Sequence, residues 1–285
     1  MEGRLDPPAG ANPRVPGLLL GIWVGESVVL AGVAVLLFFV PSAARGRWPW
    51  DVLPFNARFL GAVYVASFAA ILSLVLVGRW APARLVAPMI LTFTAIVLVV
   101  SLAYLDRFQW RRPATAGWFL LYVIVPANAA YYLWLVRGRP PVDLWRPPPA
   151  LRRALLGAAG AAGGYGIGLL LAPGTLGGFW PWPLDGFQGR LYSAIFVTIA
   201  VGIVIVARAA ALIELATLGG TLLALGCFAV AGLLVVDADV HKVDWSRGGT
   251  WAWIVIFAAV AACGAAAASC ALARASSPAP VTASR

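Results

Sequence analysis

Charge is what this sequence has least of. Only 11% of its 285 residues are charged, while 62% are hydrophobic. A soluble domain carries about a quarter charged residues. A soluble globular fold, a disordered chain and a disulfide-stapled secreted module are therefore excluded. Lysine and histidine each occur once, as Lys242 and His241. A lone loop lysine gives no intramembrane Schiff base for retinal. A lone histidine cannot supply bis-histidine haem ligation. The apolar runs lack the clustered His, Cys, Asp and Glu of a zinc or di-iron site. Lys242 is not preceded by glycine, so there is no phosphate-cradling P-loop. Cysteine is scarce too. Cys227, Cys263 and Cys270 all fall in apolar runs and read as small packing residues. Cys263 and Cys270 share one helix face but lie too far apart on it to bond. These absences leave no catalytic residue, no metal site and no cofactor to name.

What the chain has is apolar length. Its mean hydropathy is +0.89, and about 20 apolar residues suffice to cross a bilayer. Eight segments qualify: 17–40, 58–77, 84–104, 117–136, 151–172, 190–209, 211–236 and 251–273. The expected fold is all-α, a polytopic integral membrane protein of eight transmembrane helices. The first run is longer than a signal-peptide core and contains Glu26, so it reads as a span that is retained. Residues 1–16 and 274–285 read as disordered tails, and 138–150 as a linker rich in Pro and Arg.

The net charge of +10 does not point to nucleic acid. Arginines flanking apolar spans set topology and meet lipid headgroups. Segment 137–153 holds five arginines and is expected on the cytoplasmic side, which puts both termini there as well. The expected location is a bacterial cytoplasmic membrane. The expected partners are the lipid bilayer and other membrane proteins.

The sequence also repeats itself. Trp48-Pro49-Trp50 recurs as Trp180-Pro181-Trp182. At the same offset Phe55 meets Phe187, Asn56 meets Gln188, Arg58 meets Arg190 and Ala62 meets Ala194. With one inserted residue, Asp106 meets Asp239 and Trp118 meets Trp251. This pattern reads as a tandem duplication of a four-helix unit, 17–137 and 151–273. Four is even, so the copies should be related by an axis along the membrane normal. The duplicated W-P-W…A-R element, with Leu105-Asp106-Arg107-Phe108, resembles uncharacterised multi-span membrane proteins of high-GC bacteria. That resemblance implies the duplication and carries no activity over. The second copy departs from it at Asp185-Gly186 and Gly189.

Candidate sites follow from the few polar residues. Arg58 and Arg190 each lie in the first turn of a span, where a cation opposes the helix dipole and needs an acceptor. Three acceptors are open: lipid phosphates reached by snorkelling, the outer-loop acids Asp106 and Asp239, or an anionic ligand. Nine tryptophans, Trp48, Trp50, Trp180 and Trp182 among them, fall at the expected outer face. They read as an interfacial belt or as an aromatic groove for a lipid or hydrophobic partner. Glu26 lies well inside the first span, where an ionisable group is costly. Its candidate partners are Arg208 and Asn128. It reads either as a neutral carboxyl ordering the bundle or as a proton or cation relay. Glu214, six residues after Arg208, reads as its local ion-pair partner.

The Asp237, Asp239, His241, Asp244 series has ligand types suited to a hard cation, but Lys242 lies among them and a solvated loop is the simpler reading. Gly164-Tyr165-Gly166 echoes a potassium filter, which needs four longer loops. Its Gly160/Gly164/Gly168 spacing reads instead as a close-packing face. Three function classes remain: a non-enzymatic accessory or lipid-binding membrane protein, a small transporter with a site between the repeats, and an enzyme on lipid-linked substrates at the outer face.

Overall fold

The computed structural model describes residues 12–135 and 144–275. Residues 1–11 of the expected N-terminal tail, 138–143 of the linker and 276–285 of the C-terminal tail lie outside the described residues. Ten α-helices follow in order: α1 Gly17–Ala34, α2 Pro41–Ala44, α3 Pro54–Val77, α4 Trp80–Ala103, α5 Pro113–Leu135, α6 Pro149–Leu171, α7 Pro173–Leu176, α8 Gly186–Arg208, α9 Leu212–Val240 and α10 Gly248–Ala275. α1 widens into a π-helical turn over Val35–Phe39. Eight of these helices are long and apolar enough to cross a membrane. No strand occurs among the described residues. The protein is an all-α, multi-pass integral membrane protein.

Local chemistry sets the helix limits. Proline opens α2, α3, α6 and α7, where its missing N–H has no intrahelical partner to lose. Gly78 ends α3 with φ 59°, a left-handed conformation that glycine adopts without steric cost. The Asp185 side chain accepts the Gln188 N–H at 2.7 Å and caps α8. Asn12 Oδ1 accepts the Ala81 N–H at 2.8 Å and caps α4. Residues 12–16 are therefore ordered, against the expected tail, because they hold the α3–α4 turn. The Val15 N–H reaches the Gly78 carbonyl and the Trp80 N–H reaches that of Pro13. At the other end α6 begins at Pro149, inside the expected linker, and α10 runs on to Ala275. Arg274 of α10 stacks 4.5 Å above the Trp145 ring.

The helices pack across the chain more than along it. α3 lies on α9 and α4 on α8, while the sequential neighbours α8 and α9 touch little. α1 and α5 flank α3 and α4, and α6 and α10 flank α8 and α9. At the centre sit the tryptophans. Trp48, Trp50, Trp180 and Trp182 are each 5% exposed or less. The belt reading is corrected for these four, and for the buried Trp118 and Trp253. They fold inward because their rings stack on one another. Trp50 meets Phe187 at 5.1 Å and Trp182 meets Phe55 at 5.5 Å. Only Trp110, Trp245 and Trp251 of the nine are exposed.

Trp118 packs on Trp48 and Trp50, and Trp253 packs on Trp180 and Trp182. Beside the second W-P-W it is thus Trp253, not the expected Trp251, that packs as Trp118 does beside the first. The three cysteines are exposed and unpaired, so they face outward rather than packing the interior. Gly160 and Gly164 also face open space. The close approach to α8 falls instead at Gly163 and Gly166, where an added Cβ would meet Ala200 and Val197.

Candidate functional site

The polar residues singled out by sequence go to different places. Glu214 is wholly buried, and its partner is Arg84, not Arg208. Arg84 Nε donates to Glu214 Oε1 at 2.7 Å, and its Nη2 donates to Glu214 Oε2 and to the Ala209 carbonyl. Glu214 also accepts the Ala211 N–H at 2.9 Å. One carboxylate thereby joins α4 to α9 and to the α8–α9 turn. Proximity in sequence favoured Arg208, but that side chain is exposed at the end of α8. The signal available for Arg84 was only its place beside a span.

Arg58 and Arg190 find neutral acceptors. Arg58 Nη1 donates to the Phe38 carbonyl at 2.6 Å and its guanidinium lies over the Phe38 ring. That carbonyl is freed where α1 ends in its π turn, and a cation is favoured at a helix C-terminus. The approach is close: a Cβ on Gly61 would meet the Phe38 backbone nitrogen at 2.7 Å. Arg190 Nη1 donates to the Tyr104 hydroxyl at 2.6 Å and to the Gly186 carbonyl. Neither arginine pairs with Asp106 or Asp239. Asp106 is exposed beside Arg107, which also reaches Asp185 at 3.4 Å. Asp239 is exposed on the last turn of α9. Asp237 instead ties down the α9–α10 loop by accepting the Val243 N–H and the Trp245 indole N–H, each at 2.8 Å. No cluster of three metal-ligating side chains occurs among the described residues.

Glu26 has a different setting. It lines a cavity of about 450 Å³ walled by α1, α3, α4 and α5 and closed behind by Ile195 and Thr198 of α8 and Thr221 and Leu225 of α9. That volume lies within the usual range for small-molecule sites. The wall is apolar almost throughout. Glu26 is its only ionisable carboxyl, and no lysine, arginine or histidine lines it. Neither Arg208 nor Asn128 reaches the cavity wall, and no hydrogen bond links either to Glu26 among the described residues. The hydroxyls of Tyr64 and Tyr122, also in the wall, lie 3.3 Å apart.

The exposed members of the wall all belong to α1 and α5: Ile22, Gly25 and Val29 on one, Ala114, Leu121 and Ile124 on the other. These two helices meet at Trp23 and Tyr132, whose rings are 5.0 Å apart. Sequence reasoning found Glu26 and Trp48 but missed Tyr64, Trp118 and Tyr122 as its companions. They are spread over α3 and α5, and only the packing gathers them.

No family model, curated protein or solved structure matches this chain.

Proposed function

We propose that this protein is a non-enzymatic membrane protein that takes an apolar molecule from the bilayer into the cavity between α1 and α5. The observation that carries the reading is the exposed α1 and α5 wall of an otherwise apolar cavity. In a bilayer that wall faces lipid tails, so an acyl chain or a similar hydrophobic body can enter sideways without crossing water. The placement of both termini on the cytoplasmic side of a bacterial inner membrane belongs to the same proposal and rests on the five arginines of segment 137–153.

The tandem duplication is part of this reading too. Its support is mirrored geometry. A backbone bridge ties Arg14, ahead of α1, to Arg79 in the α3–α4 turn, as another ties Trp145, ahead of α6, to Ala210 in the α8–α9 turn. Thr115 donates to the Gln109 carbonyl as Thr250 donates to that of Asp244, both at 2.8 Å. The paired stretches read Arg112-x-x-Thr115-x-x-Trp118 and Arg247-x-x-Thr250-x-x-Trp253. A second reading, a small transporter with its site between the repeats, is favoured by one observation. Residues of α8 and α9 close the back of the cavity.

Gly117 supplies the test. It lines the cavity, and a Cβ there meets nothing within 4 Å. A leucine at 117 grows into open space. Native mass spectrometry after gentle extraction should find a bilayer-derived molecule on the wild type that Gly117→Leu lacks, at an unchanged melting temperature. Equal retention by both proteins would sink the proposal.

A further inference from the structure

Five aromatic side chains line the same cavity as Glu26: Trp48, Tyr64, Phe93, Trp118 and Tyr122. An ionisable carboxyl within a membrane is costly without a partner. Here the protein offers no cation to it, since no basic residue lines the wall and no ion pair of Glu26 occurs among the described residues. The wholly buried Glu214, by contrast, has its arginine. Aromatic faces attract cations, most strongly where water is excluded. A carboxyl without a counter-ion and a ring-lined apolar wall therefore have one ligand chemistry in common. We infer that the cavity binds a lipophilic organic cation, with Glu26 as its counter-ion and the rings of Trp48, Tyr64, Trp118 and Tyr122 as its cation–π surface. The apolar part of the ligand fills the remaining volume between α1 and α5. This rests on the cavity being a binding site and names the class of molecule it takes.

Two probes of equal chain length separate the two ideas: dodecyltrimethylammonium and dodecanol, titrated against the full chain in nanodiscs of neutral lipid. Quenching of tryptophan fluorescence is the readout, because Trp48 and Trp118 line the site. The ammonium should bind more tightly than the alcohol. Removing one member of a buried charge pair costs at least about 2 kcal/mol, so Glu26→Gln should weaken the ammonium roughly 30-fold or more. The alcohol should change little. Glu26→Asp keeps the charge and should keep most of the ammonium affinity, which guards against a Glu26→Gln variant that does not fold. Equal binding of both probes, unaffected by Glu26→Gln, would overturn the cation and leave the cavity standing. Binding of neither probe would overturn both.

Discussion

The first four spans hold the Glu26 cavity, and three ring positions set them apart from the last four under the proposed duplication. Counting along the W-P-W register, Val33 of the cavity wall lines up with Tyr165, Tyr64 with Phe196, and Tyr122, three positions further along, with Phe257. In the second set the rings pack on each other. Tyr165 meets Phe196 at 4.7 Å, where Val33 offers Tyr64 no ring, while Phe257 on Trp253 at 4.4 Å repeats Tyr122 on Trp118 at 4.3 Å. At the first tryptophan of each W-P-W the Trp180 indole N–H donates to the Tyr165 hydroxyl at 2.8 Å, whereas the buried Trp48 N–H has no partner among the described residues. Glu26 has Ala158 in its place. α10 is pressed onto α9 through glycine, while α5 stands off along the cavity. Under the proposed duplication the last four spans are the packed version and the first four the hollow one, which carries the ionisable Glu26.

The ion pair that joins the two sets of spans has no mirror image, since Ala216 and Pro82 stand where a second Arg and Glu would be. Breaking it gives the largest effect. Arg84→Met leaves the Glu214 carboxylate buried without a cation and should cost about 3–5 kcal/mol, read by reversible unfolding in mixed micelles. A loss below about 1 kcal/mol would mean the pair behaves as a surface contact.

Next comes the packed version itself. A Cβ on Gly226 would strike the Phe257 carbonyl at 2.3 Å and Ala261 beyond it. Gly226→Ala should therefore destabilise by roughly 1–3 kcal/mol, while Gly117→Ala in the hollow version should hold or gain up to about 1 kcal/mol. Equal costs at the two sites would erase the contrast.

Val33→Tyr is a sharper probe, because it writes the packed version into the hollow one. The new hydroxyl should accept the Trp48 indole N–H, worth about 0.5–1.5 kcal/mol, and the ring should exclude ligand. A variant that binds as the wild type does would show that the cavity is not the site.

The smallest effect belongs to Asp244. The Ser246 hydroxyl and backbone N–H donate to its carboxylate and hold its pKa below the usual carboxylate range. With the folded pKa depressed, its contribution is present above the unfolded value and fades as pH falls through the folded one. Hydrogen exchange at the Ser246 amide should quicken over that acidic range, and Asp244→Asn should remove the pH dependence.

Much of the fold was legible because membranes punish irregular backbone. Eight spans follow from hydropathy, and their ends fall near Pro, Gly and Arg. The inward turn of Trp48 and Trp182 was not legible. An interfacial tryptophan and a buried one have the same sequence signature, and only ring-on-ring packing distinguishes them. Arg84 was hidden for a related reason: a span-flanking arginine looks like a topology signal wherever its side chain goes. Glu26 was legible as a cost, but its companions Tyr64, Trp118 and Tyr122 belong to other helices and are brought together only in three dimensions.

The crossed packing of α3 on α9 and α4 on α8 bears on how the protein is made. When the ribosome has delivered the fourth span, the inner helices of the nascent chain still lack the surfaces they will bury against. Those surfaces arrive only with α8 and α9. Until then the half-made protein must be sheltered by lipid or by an insertase, and a chain stalled at that stage presents naked helix faces to any membrane protease that surveys for them.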